Sequence, residues 1–458
     1  MTTEPSSSIP KGYKEAHKAA KPFHIDPADI PLELERLFPP DKVREIARET
    51  KFVERERILE PVFFLWTLIL GFGVRLERTL SNLRRLYMAW SKSEVCASAW
   101  YDRFTPEAVR FLQSCAVLGI SQMAGETQRK LADKLRRFLD LLIVDNTIIR
   151  LHEALAKRWP ATRSRNVAAG LKLSLIVSAV ANGPSHVAVH AERTPDIKTL
   201  RLGSWVKDRI LLMDLGFYKF RIFARIDEQG GYFVSRLKAN CNPFILQSLK
   251  VHRGQAINLA GKWWGEVESR LQREVADVLA EITFSRRPYN GKSSSDSLPL
   301  RLVAIYDDED KEYHLYLTNI PPEVLSAEDI AALYALRWEI ELVFKELKSK
   351  YALDVVDTRN PNIVLGLIWT AVLTLLVSRR LYGLLLRSAP REIVGRYTPL
   401  RWSNSFAETG EILRGVILGH LGVQGKRDDD AVTLAWSYEV NTLDPNVKRH
   451  RLRDGWYA

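Results

Sequence analysis

Three cysteines in 458 residues, Cys96, Cys115 and Cys241, are too few and too scattered for a disulfide framework or a thiolate zinc site. A reducing compartment is expected. Nine histidines form no H-E-x-x-H pattern, and neither a P-loop nor a Rossmann glycine fingerprint occurs. His186 and His190 are four apart but fall in a predicted strand or loop, so a zinc pair is not expected there. Long hydrophobic runs are also missing. The two best, 62–74 and 363–378, fall short of the roughly twenty residues that span a bilayer. The second lies between Pro361 and Arg379-Arg380. Both are predicted to be buried helices, with no membrane partner. The first residues have no apolar core, so no signal peptide is expected.

Basic charge is plentiful. Lys and Arg number 67 against 55 Asp and Glu, a net charge of +12, with 46% hydrophobic residues. A globular chain with several cores and a polyanionic partner, nucleic acid first, follows from that balance. A merely basic soluble protein fits it too.

The stretch 326–351, SAEDIAALYALRWEIELVFKELKSKY, is predicted to be one long helix. Ser326 is the expected N-cap, with Asp329 three residues on as its capping-box partner. Leu333, Leu336, Ile340, Phe344 and Leu347 form an apolar stripe on a helical wheel. Beside it, Tyr334, Arg337, Glu341 and Lys348 share an arc of roughly 60°. Glu339, Lys345, Glu346 and Lys350 lie away from both and are expected to be solvated. The polar arc is either a surface salt-bridge ladder or a site in which Glu341 holds a metal ion and the cations hold phosphates.

Upstream, 26–125 reads as helical, with breaks expected at Pro39-Pro40, Pro61, Gly71-Gly73 and Pro106. Residues 81–90 and 95–104, joined by a short turn, are either a DNA-binding helix-turn-helix or an ordinary bundle corner. From Arg137 the pattern changes. FLDLLIVDNTIIRL reads as strand, tight turn at Asp145-Asn146-Thr147, strand, and LKLSLIVSAV is a third. RILLMDLGF gives an apolar strand ending on Asp214. A helix over 215–227 and a strand YFVSRLK, with Arg236 and Lys238, follow. Strand-like runs at 276–284, 298–306 and 313–317 delay the long helix by about eighty residues. The segment GKSSSDS, 291–297, reads as an exposed loop.

The spacing Tyr334, Arg337, Glu341, Lys348 resembles the Y-R-E-K signature of the insertion-sequence-four family of bacterial DDE transposases. Chance would produce it in well under ~1% of chains this long. Asp145 and Asp214, each after an apolar strand, resemble that family's two aspartates, with Asn146 where Gly is usual. The resemblance implies an α/β, ribonuclease H-like (retroviral-integrase-like) catalytic core over 131–238 and 321–380. It also implies a β-rich insertion domain over 239–320 and a helical DNA-binding domain over 26–130; from composition and pattern alone, 381–458 reads as a helical region and the polar, Lys-rich 1–25 as a mobile arm. The helix 363–377 is expected to pack behind the sheet.

The resemblance further implies Asp145, Asp214 and Glu341 as catalytic ligands for two Mg²⁺ or Mn²⁺ ions, which favour oxygen donors. Tyr334, Arg337, Lys348, Arg236 and Lys238 would contact DNA. The implied reaction cuts the terminal inverted repeats of an insertion sequence and joins their 3′-OH ends to target DNA. A homodimer on double-stranded DNA in a bacterial cytoplasm is expected. Hairpin-forming relatives stack a flipped base on an aromatic in the strand before the signature helix. Here that strand, EYHLYLTN, offers His314 by position, with Tyr313 and Tyr316 beside it. Two alternatives stay open: a nuclease or resolvase on the same fold, and a catalytically silent DNA-binding protein.

Overall fold

The computed structural model describes residues 25–458 except 55–58, 75, 78, 126–128, 163–167, 253–254, 257, 286–293, 355, 357, 426–427, 447–455 and 457–458. The arm expected over 1–25 lies almost wholly outside the described residues. So do Gly291 to Ser293 of the serine-rich link and the basic 448–453 tail.

In chain order the first helices are α1 (Asp29–Leu37), α2 (Pro40–Glu49), α3 (Pro61–Trp66), α4 (Leu80–Ser91), α5 (Ala97–Tyr101) and α6 (Pro106–Ala124). Then come β1 (Asp140–Leu151), β2 (Ala169–Ser178), β3 (Gly183–Ala191), α7 (Asp196–Thr199), β4 (Arg209–Met213), α8 (Phe220–Glu228) and β5 (Tyr232–Arg236). The next stretch holds β6 (Phe244–Ser248), β7 (Val251–His252), β8 (Gln255–Ala256), α9 (Trp264–Glu268), β9 (Val275–Ser285), β10 (Ser295–Asp307) and β11 (Glu312–Thr318). Helices complete the chain: α10 (Ala327–Ala335), α11 (Trp338–Ser349), α12 (Pro361–Ser388), α13 (Arg391–Val394), α14 (Pro399–Glu408), α15 (Gly410–His420) and α16 (Asp428–Thr442).

By contacts the chain groups into two units. One is drawn from Met1–Gln128, Arg150–Lys157 and Leu342–His450, the other from Arg129–Ile149, Arg158–Glu341 and Arg451–Ala458. This division differs from the one expected. The first and last helical regions group together, and the strands of 239–320 group with the core.

The second unit is organised on a nine-stranded sheet of order β3-β2-β1-β4-β5-β11-β10-β9-β6. β2 and β3 are antiparallel, whereas β1, β4 and β5 run parallel. The order 3-2-1-4-5 with α8 as the crossover between β4 and β5 is consistent with a ribonuclease H-like core. β5 then pairs antiparallel with β11, so the expected insertion domain prolongs the same sheet. The edge of β5 leaves a row of unpaired backbone groups, and β11 satisfies them. The core on these strands includes Leu211, Met213, Phe223, Phe233, Leu302, Ala304 and Leu317, all buried. Ser295 to Ser297, expected in a loop, belong to β10 opposite Thr283 to Ser285.

A second correction concerns β1. It runs unbroken for 12 residues through Asp145-Asn146-Thr147, with no turn. The Asn146 amide is bonded sideways instead, donating to Asp196 at 2.8 Å and lying 3.3 Å from Thr199 Oγ1. Its carbonyl accepts from the Ser174 hydroxyl of β2. With both ends of that side chain satisfied by neighbours, the backbone stays extended.

The first unit is helical. The breaks expected at Pro39-Pro40, Pro61 and Pro106 fall where α2, α3 and α6 begin, and Pro361 and Pro399 likewise start α12 and α14, where a missing N–H costs nothing. The break expected at Gly71-Gly73 comes at its far end, after Gly73. α3 continues as a π-helical stretch, Thr67–Gly73, and a side chain at Gly73 would collide with Thr374 of α12. Of the two helices weighed as a DNA-binding pair, α5 spans only five residues, and its Trp100 is buried against Phe64, Tyr87 and Phe104. That geometry belongs to a bundle corner.

α12 is 28 residues long, not the sixteen expected, and by length and composition it is apolar enough to cross a membrane. In its most apolar stretch 83% of residues are buried within the protein, as in a core helix. Within its own unit its neighbours are α1, α6, α14 and the π-helical segment. Arg379 and Arg380, read as its end, are buried at 4% and 1% exposure. Glu346 pairs with Arg379 and Glu33 with Arg380, so the helix carries two cations through a core without a break. Glu346, expected to be solvated, also accepts from Tyr351 at 2.6 Å and Ser378 at 3.3 Å.

Candidate active site

Parallel pairing sets the first two acids. The ladder between β1 and β4 ends at Val144 opposite Met213. Asp145, within β1, and Asp214, just past the end of β4, therefore stand at the same level on adjacent strands, at a strand spacing of ~4.8 Å. Asp214 begins the 3₁₀ turn Leu215–Phe217. Its second following residue is Gly216, where a Cβ would come within 2.6 Å of the Asp196 carboxylate. The close approach accounts for glycine in Asp-Leu-Gly.

Glu341 arrives from elsewhere. Ser326 caps α10 as expected, its hydroxyl accepting from the Asp329 N–H while the Asp329 carboxylate accepts from the Ser326 N–H. The single helix expected over 326–351 is nevertheless broken. α10 ends at Ala335 and α11 starts at Trp338. Between them the N–H groups of Leu336 and Arg337 donate to the carbonyls three residues back, at 3.1 and 2.9 Å. The chain tightens there by a 3₁₀-type turn.

That turn places Arg337. Its Nη1 lies 3.4 Å from Asp145 Oδ2, and its Nη2 donates to Glu341 Oε1 at 3.0 Å. One guanidinium thus bridges the first and third acids. Asp214 lies close enough to act on both Asp145 and Arg337. Burial, reinforced by Asp214 and Glu341, pushes Asp145 up to about 6, against the Asn146 N–H and Arg337. The donors offered are oxygens, from three carboxylates with a single organic cation among them. This set fits hard divalent ions. The one trio of ligand-type side chains among the described residues with donor atoms all within 4.8 Å is different: Asp307, Asp310 and His314, in the β10–β11 turn.

Tyr334, placed on a polar arc by the wheel, is 8% exposed. Burial pushes its hydroxyl up to about 12, with Asp214 adding to the shift and Arg337 and Arg236 opposing it. Arg236, the last residue of β5, pairs across the sheet with Tyr316 of β11. The Tyr316 and Tyr334 rings are 5.4 Å apart. Tyr316 is therefore the aromatic of that strand beside Tyr334 and Arg236. His314 instead faces Asp307 and Asp310 at the hairpin turn.

Lys238 does not join this group. Its Nζ stands 5.4 Å from the Tyr218 ring, in a separate concavity. Lys348 lies in the last turn of α11 beside Arg150 and Asp354. Burial and Arg150 lower its pKa, and Asp354 opposes them.

The sequence reading missed a supporting layer. Lys172 Nζ holds Asp196 Oδ1 at 2.6 Å, and Asp196 holds Asn146 next to the first acid. The available signal was a lone lysine inside the apolar strand LKLSLIV. Also missed was the anchor of α10. Arg301 of β10 grips Asp277 of β9 through two bonds, 2.9 and 2.7 Å. Its Nη1 also donates to the carbonyls of Ile320 and Leu325 at 3.1 and 2.8 Å. These carbonyls lie just before Ser326, so the start of α10 is fixed to the sheet.

The family described as the transposase DDE domain matches residues 136–377. The transposase of insertion sequence element IS231F from Bacillus thuringiensis subsp. israelensis is 25% identical over 360 residues, 70% of this chain and 73% of its own. That of IS1151 from Clostridium perfringens is 22% identical over 345 residues, 69% of this chain and 72% of its own. A piggyBac transposase synaptic complex with hairpin DNA aligns over 93% of this chain and 87% of that one, at 12% identity and a TM-score of 0.43. At that score the likeness carries no argument.

Proposed function

The chain belongs to the transposase DDE domain family and is an insertion-sequence transposase, a DNA cleavage and strand-transfer enzyme, and we propose that Asp145, Asp214 and Glu341 are the acids that perform this chemistry. The observation that carries the assignment is the contact of Arg337 with both Asp145 and Glu341, next to an Asp214 held level with Asp145 by the β1–β4 register.

DDE transposases use divalent metal ions, and the three carboxylates are the residues that would hold them here, as two Mg²⁺ or Mn²⁺. Such ions, when bound, activate a water or a 3′-OH and neutralise the leaving oxygen at a phosphodiester. The residues of this chain do the rest. The carboxylates supply oxygen donors from a rigid sheet edge and one helix turn. Arg337 holds Asp145 and Glu341 in place and offers a fork suited to a phosphate oxygen. Tyr334, protonated throughout the working range, donates from beneath, and Arg236 adds a cation at the end of β5. Lys348 is assigned a phosphate contact by the signature spacing, and Lys238 one by its position after Arg236.

In this reading the protein binds the terminal inverted repeats of its element as a dimer, in a bacterial cytoplasm on the nucleoid. It hydrolyses the strand at each end and joins the freed 3′-OH groups to target DNA. The test is a strand-transfer assay with Mg²⁺ on linear element ends. Joined product supports the reading. Cutting without joining would make the protein a nuclease, and binding without cutting a silent relative.

A further inference from the structure

Outside the acids, the links on either side of α8 and β5 enclose a second concavity, lined by Tyr218, Lys219, Phe220, Arg221, Lys238 and Asn240 among others. A neighbouring depression shares Arg221 and Phe284 with it and continues along α8 past Lys198 and Arg225. Three features make the first concavity unusual. Lys219, Arg221 and Lys238 bring three positive charges to it, and none of them is ion-paired with a described carboxylate. Lys219 is also the N-cap of α8, a nine-residue helix with no side chain bonded to its first N–H groups. Finally, Tyr218 is 7% exposed, and its hydroxyl is met by the Cys241 thiol, a weak acceptor, and the Lys238 backbone, with no oxygen acceptor. Burial keeps that hydroxyl protonated, hence a donor.

Cations without anions and a buried hydroxyl whose acceptor is only a thiol are answered together by one chemical group, a phosphate oxyanion. The place agrees. Tyr218 follows Asp214 by the single turn Leu215–Phe217, and Lys238 follows Arg236 at the end of β5. We propose that this concavity is a phosphate subsite for the DNA backbone, with Tyr218, Lys219, Arg221 and Lys238 receiving a phosphodiester other than the one that reacts. The inference rests on the transposase reading above and adds to it a second grip on DNA. The phosphodiester belongs either to the element end or to the target, and the two separate experimentally.

The experiment measures binding against salt for the full-length protein with Lys219→Ala/Arg221→Ala. One arm uses a linear duplex carrying an element end, the other capture of target plasmid by the end complex. Each phosphate contact contributes ~0.9 to the slope of log K against log salt. The double variant should lose about one to two from that slope in one arm, which then identifies the source. Arg221→Lys should restore most of it, and Lys311→Ala, at the exposed β10–β11 turn, should change nothing. If the double variant does not fold, Tyr218→Phe decides, with a several-fold weaker affinity expected in the same arm. Unchanged slopes in both arms, or unchanged affinity for Tyr218→Phe where only that variant folds, overturn the subsite. A wild-type protein that binds with this salt dependence yet never cleaves would overturn the catalytic reading and leave the subsite standing.

Discussion

Arg301 and Arg337 belong to the same sheet unit, and each faces carboxylates, yet their surroundings differ. Arg301 and Asp277 are 3% and 5% exposed, joined by two bonds, with a third arginine nitrogen on two carbonyls. Every donor direction that matters is used. Arg337 is 17% exposed and touches two acids by one atom each, while Asp214 stands near without a contact of its own. One charge serves three. The first arrangement is complete and has no role for a ligand. The second is short of positive charge and partly open, as a site is when another cation or a substrate is to enter. The number of arginine–carboxylate contacts would not separate the two. The surplus of acid and the partial exposure do.

Four experiments bear on this contrast, beginning with the largest effect. Alanine at Asp145, Asp214 or Glu341 should lower Mg²⁺-dependent cleavage by on the order of 10³-fold or more while end binding in a gel shift persists. A variant that cuts at near-normal rate removes that residue from the open site. Asp277→Ala strands a buried guanidinium and should cost about 3–5 kcal/mol of stability, read by denaturant unfolding. A loss under about 1 kcal/mol would show that the closed pair is no more structural than a surface bridge.

Arg337→Ala should slow cleavage at saturating DNA by roughly a hundredfold, with little change in unfolding. Equal effects of Arg301→Ala and Arg337→Ala on both readouts would erase the distinction. The smallest effect concerns Asp145. Its proton is held more tightly folded than unfolded, so metal-free stability falls as pH rises from the ordinary carboxylate range through about 6. Asp145→Asn should therefore stabilise the metal-free protein near neutral pH by up to about 2 kcal/mol. The gain should vanish near pH 4, and a gain that is the same at both pH values would exclude Asp145 ionisation as its cause.

Local features were legible in the sequence where neighbours along the chain decide them. The Ser326–Asp329 capping box is one such case. The ends of β4 and β5 and the helix starts at Pro40, Pro61 and Pro106 are others. What escaped was decided by residues far away in sequence. Asn146 reads as a turn residue until Asp196, Thr199 and Ser174 satisfy its amide and carbonyl. Arg379-Arg380 reads as a helix end until Glu346 and Glu33 neutralise it. Nothing between Ala335 and Trp338 announces a break, since no proline or glycine is there. The turn at Arg337 joins a helix anchored through Arg301 to one whose first turn carries Glu341. The three candidate acids were picked out locally, Glu341 by the signature spacing and the two aspartates by the apolar runs before them. The bridge between two of them, which no wheel drawn on an unbroken helix contains, was not.

Glu33 lies on the first described helix and is 5% exposed, held by Arg380, by Arg387 at 3.1 Å and by Arg36 at 3.2 Å. Two of those three arginines are some 350 positions downstream. A fragment cut near residue 130 to isolate the N-terminal region would strip this carboxylate of Arg380 and Arg387, and the remaining piece would lose the Glu33 partner of its buried Arg380. Dissection by truncation, the usual route to a separate end-binding module, is therefore expected to destabilise both pieces of this protein. Mapping of its DNA contacts has to proceed by point substitution in the intact chain.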